Sequence, residues 1–158
     1  MSRLQAGALS VHPRPVALDE VVAAAVLHQP DGIAVEVDVP DDLPLAYADP
    51  GLLERVVANL LTNAHQASTT GSPVHVTGRA HDAGGLQLRI IDHGPGIPAA
   101  DRDRMVAPFQ RLDDRTTGGL GLGLAIARGF TEAMQGTITA TDTPGGGLSI
   151  TITLPGIR

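Results

Sequence analysis

Alternating glycines stand where a helix is predicted to begin, in the stretch GGLGLGLAIARGF at residues 118–130. Glycine inside a helix or strand costs about 0.5–1 kcal/mol relative to alanine, so this placement needs a compensating role. A helix start offers unpaired backbone N–H groups and a partial positive charge, and residues without a Cβ atom let an anion approach closely. Gly119, Gly121 and Gly123 therefore predict a phosphate-binding loop that leads into a helix. Taken alone, the same glycines would favour a flexible hinge without a ligand.

A carboxylate follows the apolar face of a predicted strand, LQLRIID at residues 86–92. The even positions share one face, and Asp92 continues that face towards the apolar side. A half-buried carboxylate needs a hydrogen-bond donor, and the exocyclic amine of adenine is one, whereas guanine has a carbonyl oxygen there. Asp92 thus favours ATP over GTP, and Gly94 and Gly96 would let the backbone pass close to the base. A strand that ends at Ile91, with Asp92 in the turn, would fit the pattern as well.

Two asparagines lie on a predicted helix that begins after Asp49-Pro50, an N-cap followed by proline in the first helical position. Asn59 and Asn63 are four residues apart, so they lie on one side of the helix, next to the apolar stripe. Neutral amide oxygens can ligate a Mg²⁺ ion that is already bound to phosphates. Two asparagines on a solvated helix face would explain the pair equally well, although asparagine is a poor helix former.

Composition narrows the class of protein. The 158 residues suffice for one domain, and aromatic residues make up only 2%, so the core must consist of Leu, Val, Ile and Ala. All 11 basic residues are arginine, which excludes the lysine-dependent P-loop, and the absence of cysteine excludes disulfides and thiolate sites. A net charge of −6 disfavours nucleic acid as a partner. Without a signal peptide or a run of about 18 apolar residues, we expect the chain to be cytoplasmic. We also expect it to be a monomer.

The remaining pattern supplies the elements that position these residues. Helical spacing of apolar residues predicts helices over 16–28, 50–68 and 121–134. Alternation predicts strands over 33–39, 74–80, 86–92, 136–142 and 147–155, the last two forming a hairpin. Residues 1–15 are interpreted as a connector, and 94–120 as a loop with a short helix near 99–106. These elements predict a two-layer α/β sandwich, in which helices cover a mixed sheet.

Four motifs in this order resemble the ATP-binding catalytic domain of bacterial sensor histidine kinases, in the superfamily that includes gyrase B, Hsp90 and MutL. They are NLLTNAHQAS (59–68), DHGPGIP (92–98), APFQRL (107–112) and GGLGLGLAI (118–126). TPGGGLSITITLP resembles the terminal hairpin of these kinases, and the match covers residues 16–155. The Pro-Phe motif points to histidine kinases rather than to the ATPase branches, and together with TPGGGL it resembles the potassium-responsive KdpD type.

The resemblance implies the Bergerat fold, a two-layer α/β sandwich with a mixed, mostly antiparallel five-stranded sheet and three main helices. It implies a catalytic domain over 16–158, with an ATP lid at 97–118, and a connector over 1–15 from a missing dimerisation domain. Asn63 would be the principal Mg²⁺ ligand, assisted by Asn59, while Asp92 would recognise the adenine. The whole set of nucleotide-binding residues that the resemblance implies is Asp92, Gly94, Gly96, Ile97, Phe109, Gly119, Leu120, Gly121, Leu122, Gly123 and Leu124.

The implied activity is transfer of the ATP γ-phosphoryl group to a histidine. The ATPase branches carry a glutamate at the position of Asn59, and an amide cannot act as a general base, so ATP should escape rapid hydrolysis. Mg²⁺, the glycine-rich backbone and one lid arginine would stabilise the transferred charge. The candidate arginines are Arg102, Arg104, Arg111 and Arg115.

The expected protein partners follow from the absence of a phosphoacceptor histidine motif in this sequence. None of the six histidines lies in a phosphoacceptor motif of these kinases. We therefore expect the chain to act in trans, on the histidine-bearing dimerisation domain of a parent kinase anchored in the inner membrane. A response regulator would be the downstream partner.

Two alternatives remain open. Gln66 and Ala67 stand where many sensor kinases have a basic and an aromatic residue, so a degenerate module that binds nucleotide without kinase activity is one alternative. A related ATPase or anti-sigma serine kinase is the other, although Asn59 and the Pro-Phe motif weigh against it.

Overall fold

The computed structural model describes residues 10–29, 34–67, 72–81, 84–93, 118–143 and 146–157. Within these ranges the chain forms three helices and seven strands. In chain order they are β1 (Arg14–Val16), α1 (Leu18–Leu27), β2 (Val35–Asp38), β3 (Ala46–Ala48), α2 (Pro50–Ala67), β4 (Val74–Ala80), β5 (Leu86–Ile91), α3 (Gly118–Ala133), β6 (Thr137–Asp142) and β7 (Leu148–Leu154). Among these helices, none is long and apolar enough to cross a membrane.

Five strands form one mixed sheet in the order β2-β4-β5-β7-β6. The β2–β4 pair is parallel, and the β4–β5, β5–β7 and β6–β7 pairs are antiparallel. The described part of the chain thus confirms the predicted α/β sandwich with its mixed, mostly antiparallel five-stranded sheet and three main helices.

A separate two-stranded sheet joins β1 to β3. The sequence did not predict it, because strands of three residues are too short to show alternation. β3 also contacts the end of β7, since the N–H of Tyr47 donates a hydrogen bond to the carbonyl of Pro155 at 2.8 Å. The Tyr47 side chain itself is exposed. Arg14 and Pro15, which belong to the predicted connector, are therefore paired with the domain through β1.

The helices cover one face of the five-stranded sheet. Along β5, the buried side chains of Leu86, Leu88 and Ile90 alternate with the more exposed Gln87 and Arg89. α2 packs on β4 and β5 and lies between α1 and α3. Buried side chains from the helices and the sheet form one cluster of aliphatic residues and methionine, as the low aromatic content predicted.

α2 and α3 pack side by side. The guanidinium carbon of Arg55, near the start of α2, lies 5.9 Å from the ring centre of Phe130, near the end of α3. This distance suits a cation–π contact. This contact joins α3 to α2, the helix that carries Asn59 and Asn63.

The helix α3 begins at Gly118, earlier than the predicted start at residue 121. Gly119, Gly121 and Gly123 consequently lie within its first two turns and do not form a loop before it. The physical reason is that packing can outweigh the low helix propensity of glycine. The first four N–H groups of a helix have no intrahelical partner, so the first turn of α3 still offers backbone donors.

Other boundaries differ less from the prediction. α1 begins at Leu18 rather than at residue 16, because Val16 belongs to β1 and pairs with Ala46. The short helix predicted near 99–106 lies outside the described residues.

A Schellman motif ends α3. The N–H of Gly136 donates to the carbonyl of Thr131 at 2.9 Å, and the N–H of Gln135 donates to the carbonyl of Glu132 at 3.0 Å. Gln135 has the left-handed φ of 68° that this motif requires. The chain then turns into β6.

Candidate functional site

Asp49 fixes the start of α2. Its Oδ1 accepts hydrogen bonds from the N–H groups of Gly51 (3.0 Å) and Leu52 (3.1 Å), and its Oδ2 accepts one from the N–H of His12 (2.8 Å). Burial alone would raise the pKa of this carboxyl, but the three backbone N–H groups and the nearby His12 ring lower the pKa below its ordinary value of 3.8. The predicted N-cap is confirmed, and it anchors the helix that carries both asparagines.

Asn63 holds an unsatisfied donor. Its Nδ2 is buried and has no hydrogen-bond partner among the described residues. A buried donor without an acceptor costs about 1–3 kcal/mol, so this position favours an acceptor that a ligand would supply. A phosphate oxygen is such an acceptor, and the neutral Oδ1 of the same amide is a suitable Mg²⁺ ligand. Asn59, one turn earlier, is half-buried. The side chains thus fit a nucleotide with bound Mg²⁺.

Asp92 lies just beyond the end of β5 and is only 3% exposed. Its N–H donates to the carbonyl of Leu148 at 3.0 Å, and its Oδ1 accepts the N–H of Leu148 at 3.1 Å. Both interpretations of the sequence were partly right, because the strand ends at Ile91 while the Asp92 carboxylate still lies on the buried side. The result is a fixed, buried acceptor at one end of the sheet.

Gly147, in the turn between β6 and β7, lies close to the backbone of Asp92. Its φ is +115°, and a Cβ atom added there would lie 2.1 Å from the carbonyl oxygen of Asp92 and 2.8 Å from the Cα of His93. Sequence reasoning identified this turn only as part of a hairpin and missed its contact with Asp92. The three consecutive glycines in TPGGGL were the signal that a close backbone approach occurs here.

The first half of α3 is held to the core by Leu124, whose side chain is 1% exposed and belongs to the hydrophobic cluster. The backbones of residues 118–123 are helical. The assignment of phosphate contacts to Gly119, Leu120, Gly121, Leu122, Gly123 and Leu124 stays a prediction.

The structure brings several predicted site residues into neighbouring elements. Asn59 and Asn63 lie on α2, which packs against α3, and Asp92 follows β5, a strand on which α2 also packs. Gly94, Gly96, Ile97, Phe109 and the predicted lid up to residue 117 lie outside the described residues.

Comparison with known proteins gives the family. The profile described as histidine kinase-, DNA gyrase B-, and HSP90-like ATPase matches residues 48–157. Among curated proteins, the chain is 44% identical over 159 aligned residues to the sensor protein KdpD of Rathayibacter rathayi, covering 98% of this chain and 18% of that protein. The chain thus spans less than a fifth of the length of this relative. The predicted resemblance to the KdpD type is confirmed.

Solved structures agree with this comparison. Full-length ShkA in complex with AMPPNP matches with a TM-score of 0.81 and 29% identity, covering 99% of this chain and 34% of that one. The mycobacterial sensor histidine kinase MprB matches with a TM-score of 0.76 and 32% identity, covering 92% of this chain and 98% of that one. From its motifs, its fold and these matches, we conclude that the chain belongs to the histidine kinase-, DNA gyrase B- and HSP90-like ATPases, in the branch of the sensor histidine kinases.

Proposed function

We propose that this domain binds ATP with Mg²⁺ and transfers the γ-phosphoryl group to a histidine on a separate domain of its parent kinase. The observation that carries the proposal is the buried carboxylate of Asp92, which the Leu148 backbone holds at the end of β5. A fixed acceptor of this kind suits the exocyclic amine of adenine. The similarity to ShkA, solved with AMPPNP, supports the same ligand class.

The phosphates belong, in this proposal, between α2 and the start of α3. Unpaired N–H groups of the first turn of α3 would bind phosphate oxygens, as helix N-termini commonly do. The buried Nδ2 of Asn63 would donate to another phosphate oxygen, which removes the cost of leaving it unpaired. Mg²⁺, held by the Oδ1 of Asn63 with help from Asn59, would neutralise charge on the phosphates.

The residues favour transfer over hydrolysis. Phosphoryl transfer depends mainly on positioning and on stabilisation of charge, both of which α2 and α3 can supply. Asn59 is an amide and cannot remove a proton from water. The γ-phosphoryl group should therefore persist until an imidazole reaches it.

The parent protein supplies the other parts. We propose a domain over 16–158 with a lid at 97–118, and a connector over 1–15 that leads from a dimerisation domain bearing the phosphoacceptor histidine. The isolated chain would act in trans, in the cytoplasm, while the parent is anchored in the inner membrane. A response regulator would receive the phosphoryl group from that histidine.

Calorimetric titration with ATP and with GTP, each with and without Mg²⁺, tests the binding step. We expect ATP to bind in a Mg²⁺-dependent manner and GTP to bind at least about tenfold more weakly, because its carbonyl oxygen would face the Asp92 carboxylate. Equal binding of both nucleotides would contradict the assignment of Asp92. Absence of binding at millimolar ATP would favour the degenerate module.

The transfer step is tested by mixing the chain with the purified histidine-bearing domain of its parent and γ-labelled ATP. We expect an acid-labile, base-stable phosphohistidine on that domain, and roughly 100-fold slower transfer with Asn63→Ala, a loss typical of removing one contact to the reacting group. His65→Ala, an exposed position on the same helix, is the control and should transfer normally. Rapid phosphate release without the acceptor domain would indicate the ATPase alternative instead.

A further inference from the structure

We propose that Gly147 is a positioning residue for adenine recognition. Because Gly147 has no side chain, its turn can lie against the backbone of Asp92, and this close approach sets the position of the Asp92 carboxylate. This inference rests on the proposed role of Asp92. It gives the glycine-rich turn before β7 a role in the selection of adenine over other bases.

The contact leaves no room for a side chain. A Cβ atom on Gly147 would lie 2.1 Å from the carbonyl oxygen of Asp92, 2.8 Å from its carbonyl carbon and 2.8 Å from the Cα of His93. All three atoms belong to the backbone, so none of them can rotate away as the end of a flexible side chain could. A methyl group at this position must therefore move the Asp92–His93 backbone relative to the turn.

The displaced segment is the one that holds the carboxylate. Leu148, the next residue after Gly147, exchanges two hydrogen bonds with Asp92, one from its N–H to Oδ1 (3.1 Å) and one to its carbonyl from the Asp92 N–H (3.0 Å). Separation of the two backbones would lengthen both bonds. The carboxylate would then lose the hydrogen bond from the Leu148 N–H, which helps to fix its position.

Hydrogen bonds within the turn between β6 and β7 oppose its displacement by an added methyl group. The N–H of Thr143 donates to the carbonyl of Gly147 at 3.0 Å, and the buried hydroxyl groups of Thr143 and Ser149 lie 2.9 Å apart. Gly147 is thus bonded to Thr143, the residue after β6, and is followed by Leu148, which is bonded to Asp92. We expect an added methyl group to displace Asp92 rather than the turn.

The test compares Gly147→Ala with Gly84→Ala. Both glycines have positive φ, +115° and +86°, so alanine strains the backbone in each, but a Cβ atom on Gly84 meets nothing within 4 Å. The readout is the ratio of dissociation constants for ITP and ATP, since ITP carries a carbonyl oxygen in place of the adenine amine. We expect Gly147→Ala to reduce this ratio about tenfold and Gly84→Ala to leave it unchanged.

The outcomes are distinguishable. A folded Gly147→Ala variant with the wild-type ratio would overturn the inference, whereas a wild type that binds ITP as well as ATP would overturn the role of Asp92 itself. In the Asp92→Asn background, Gly147→Ala should cause no further loss of selectivity, because it acts through Asp92.

If the Gly147→Ala variant does not fold, a measurement on the wild type tests the same inference. The inference requires the link between Leu148 and Asp92 to exist before nucleotide binds. We therefore expect strong hydrogen-exchange protection of the Leu148 amide in the nucleotide-free protein. Fast exchange of this amide would contradict the inference.

Discussion

The carboxylate of Asp92 accepts a hydrogen bond that a backbone carbonyl would accept in a regular antiparallel ladder. Because the Asp92 N–H also donates to Leu148, the strand pairing itself fixes the side chain. A bond from an N–H group to an ionised carboxylate is stronger than one between neutral groups. One residue thereby ends β5 and presents a fixed acceptor to the helix side of the sheet.

We expect Asp92→Asn to weaken ATP binding by about 2 kcal/mol, roughly 30-fold, without unfolding the domain. An amide that keeps its oxygen on the Leu148 N–H would present a donor to the adenine amine, so two donors would face each other. ITP, which offers a carbonyl oxygen, should lose much less affinity. Calorimetry with both nucleotides measures the effect, and Asp38→Asn at the exposed end of β2 is the control for lost charge. Unchanged ATP affinity would contradict the adenine site.

Local sequence was sufficient to predict the side on which Asp92 lies, but not what holds it. Its partner Leu148 is 56 positions away and contacts it through the backbone, so the identity of the Leu148 side chain gives no signal. Helical spacing likewise placed Asn63 beside the apolar stripe. The burial of its Nδ2 depends on how α2 packs against other elements, which local spacing does not encode.

The helix α2 carries both asparagines, so the position of its first turn determines where they lie. Asp49 satisfies two N–H groups of that turn and also the N–H of His12, which comes from a segment before α1. One carboxylate therefore caps a helix and ties the chain that precedes the first helix to it.

We expect Asp49→Ala to lower the free energy of unfolding at neutral pH by about 1–2 kcal/mol, the usual loss for an N-cap, and Asp49→Asn to lower it less. Folding lowers the pKa of Asp49, so its contribution is complete above the ordinary pKa of 3.8 and is lost as the pH falls through the lowered pKa. The wild type should therefore lose more stability than Asp49→Asn between about pH 4 and pH 2.

Urea unfolding followed by circular dichroism at several pH values measures both effects. The Asn variant keeps an acceptor for the helix N–H groups but cannot titrate, so it separates the cap from the charge. Equal acid sensitivity of the wild type and Asp49→Asn would show that Asp49 does not contribute to the pH dependence.

Elements with a strong local signal were predicted well, and others were not. The Asp-Pro pair marked the start of α2 because capping and the fixed φ of proline are properties of one or two residues. The start of α3 was predicted too late because alternating glycines lower the local helix propensity. Packing of the helix, with Leu124 in the core, outweighs that propensity.

The domain as a whole is stabilised by aliphatic side chains between the helices and the sheet. We expect Leu53→Ala, at a side chain with 0% exposure, to lower the free energy of unfolding by about 3 kcal/mol. Leu27→Ala, at a side chain with 81% exposure, removes the same atoms and should change it by less than about 0.5 kcal/mol. Chemical denaturation of the two variants measures the difference, and similar losses would contradict the core assignment.

The layered architecture could be predicted because hairpin-linked strands and amphipathic helices each leave a local pattern. The strand order could not, since the parallel β2–β4 pair joins segments separated by all of α2. The β1–β3 sheet escaped prediction for a related reason. Its strands are defined by their pairing and not by alternation.

Tyr47 has a practical consequence for spectroscopy. It is the only tyrosine, and the chain has no tryptophan. Its backbone pairs with Pro155, beyond one end of β7, whereas Asp92 lies at the other end, about 20 Å away along a strand of this length. Intrinsic emission should therefore follow the melting of β3 and remain constant during a nucleotide titration. The intrinsic fluorescence of the domain is therefore weak, and a single introduced tryptophan would be its only strong fluorophore.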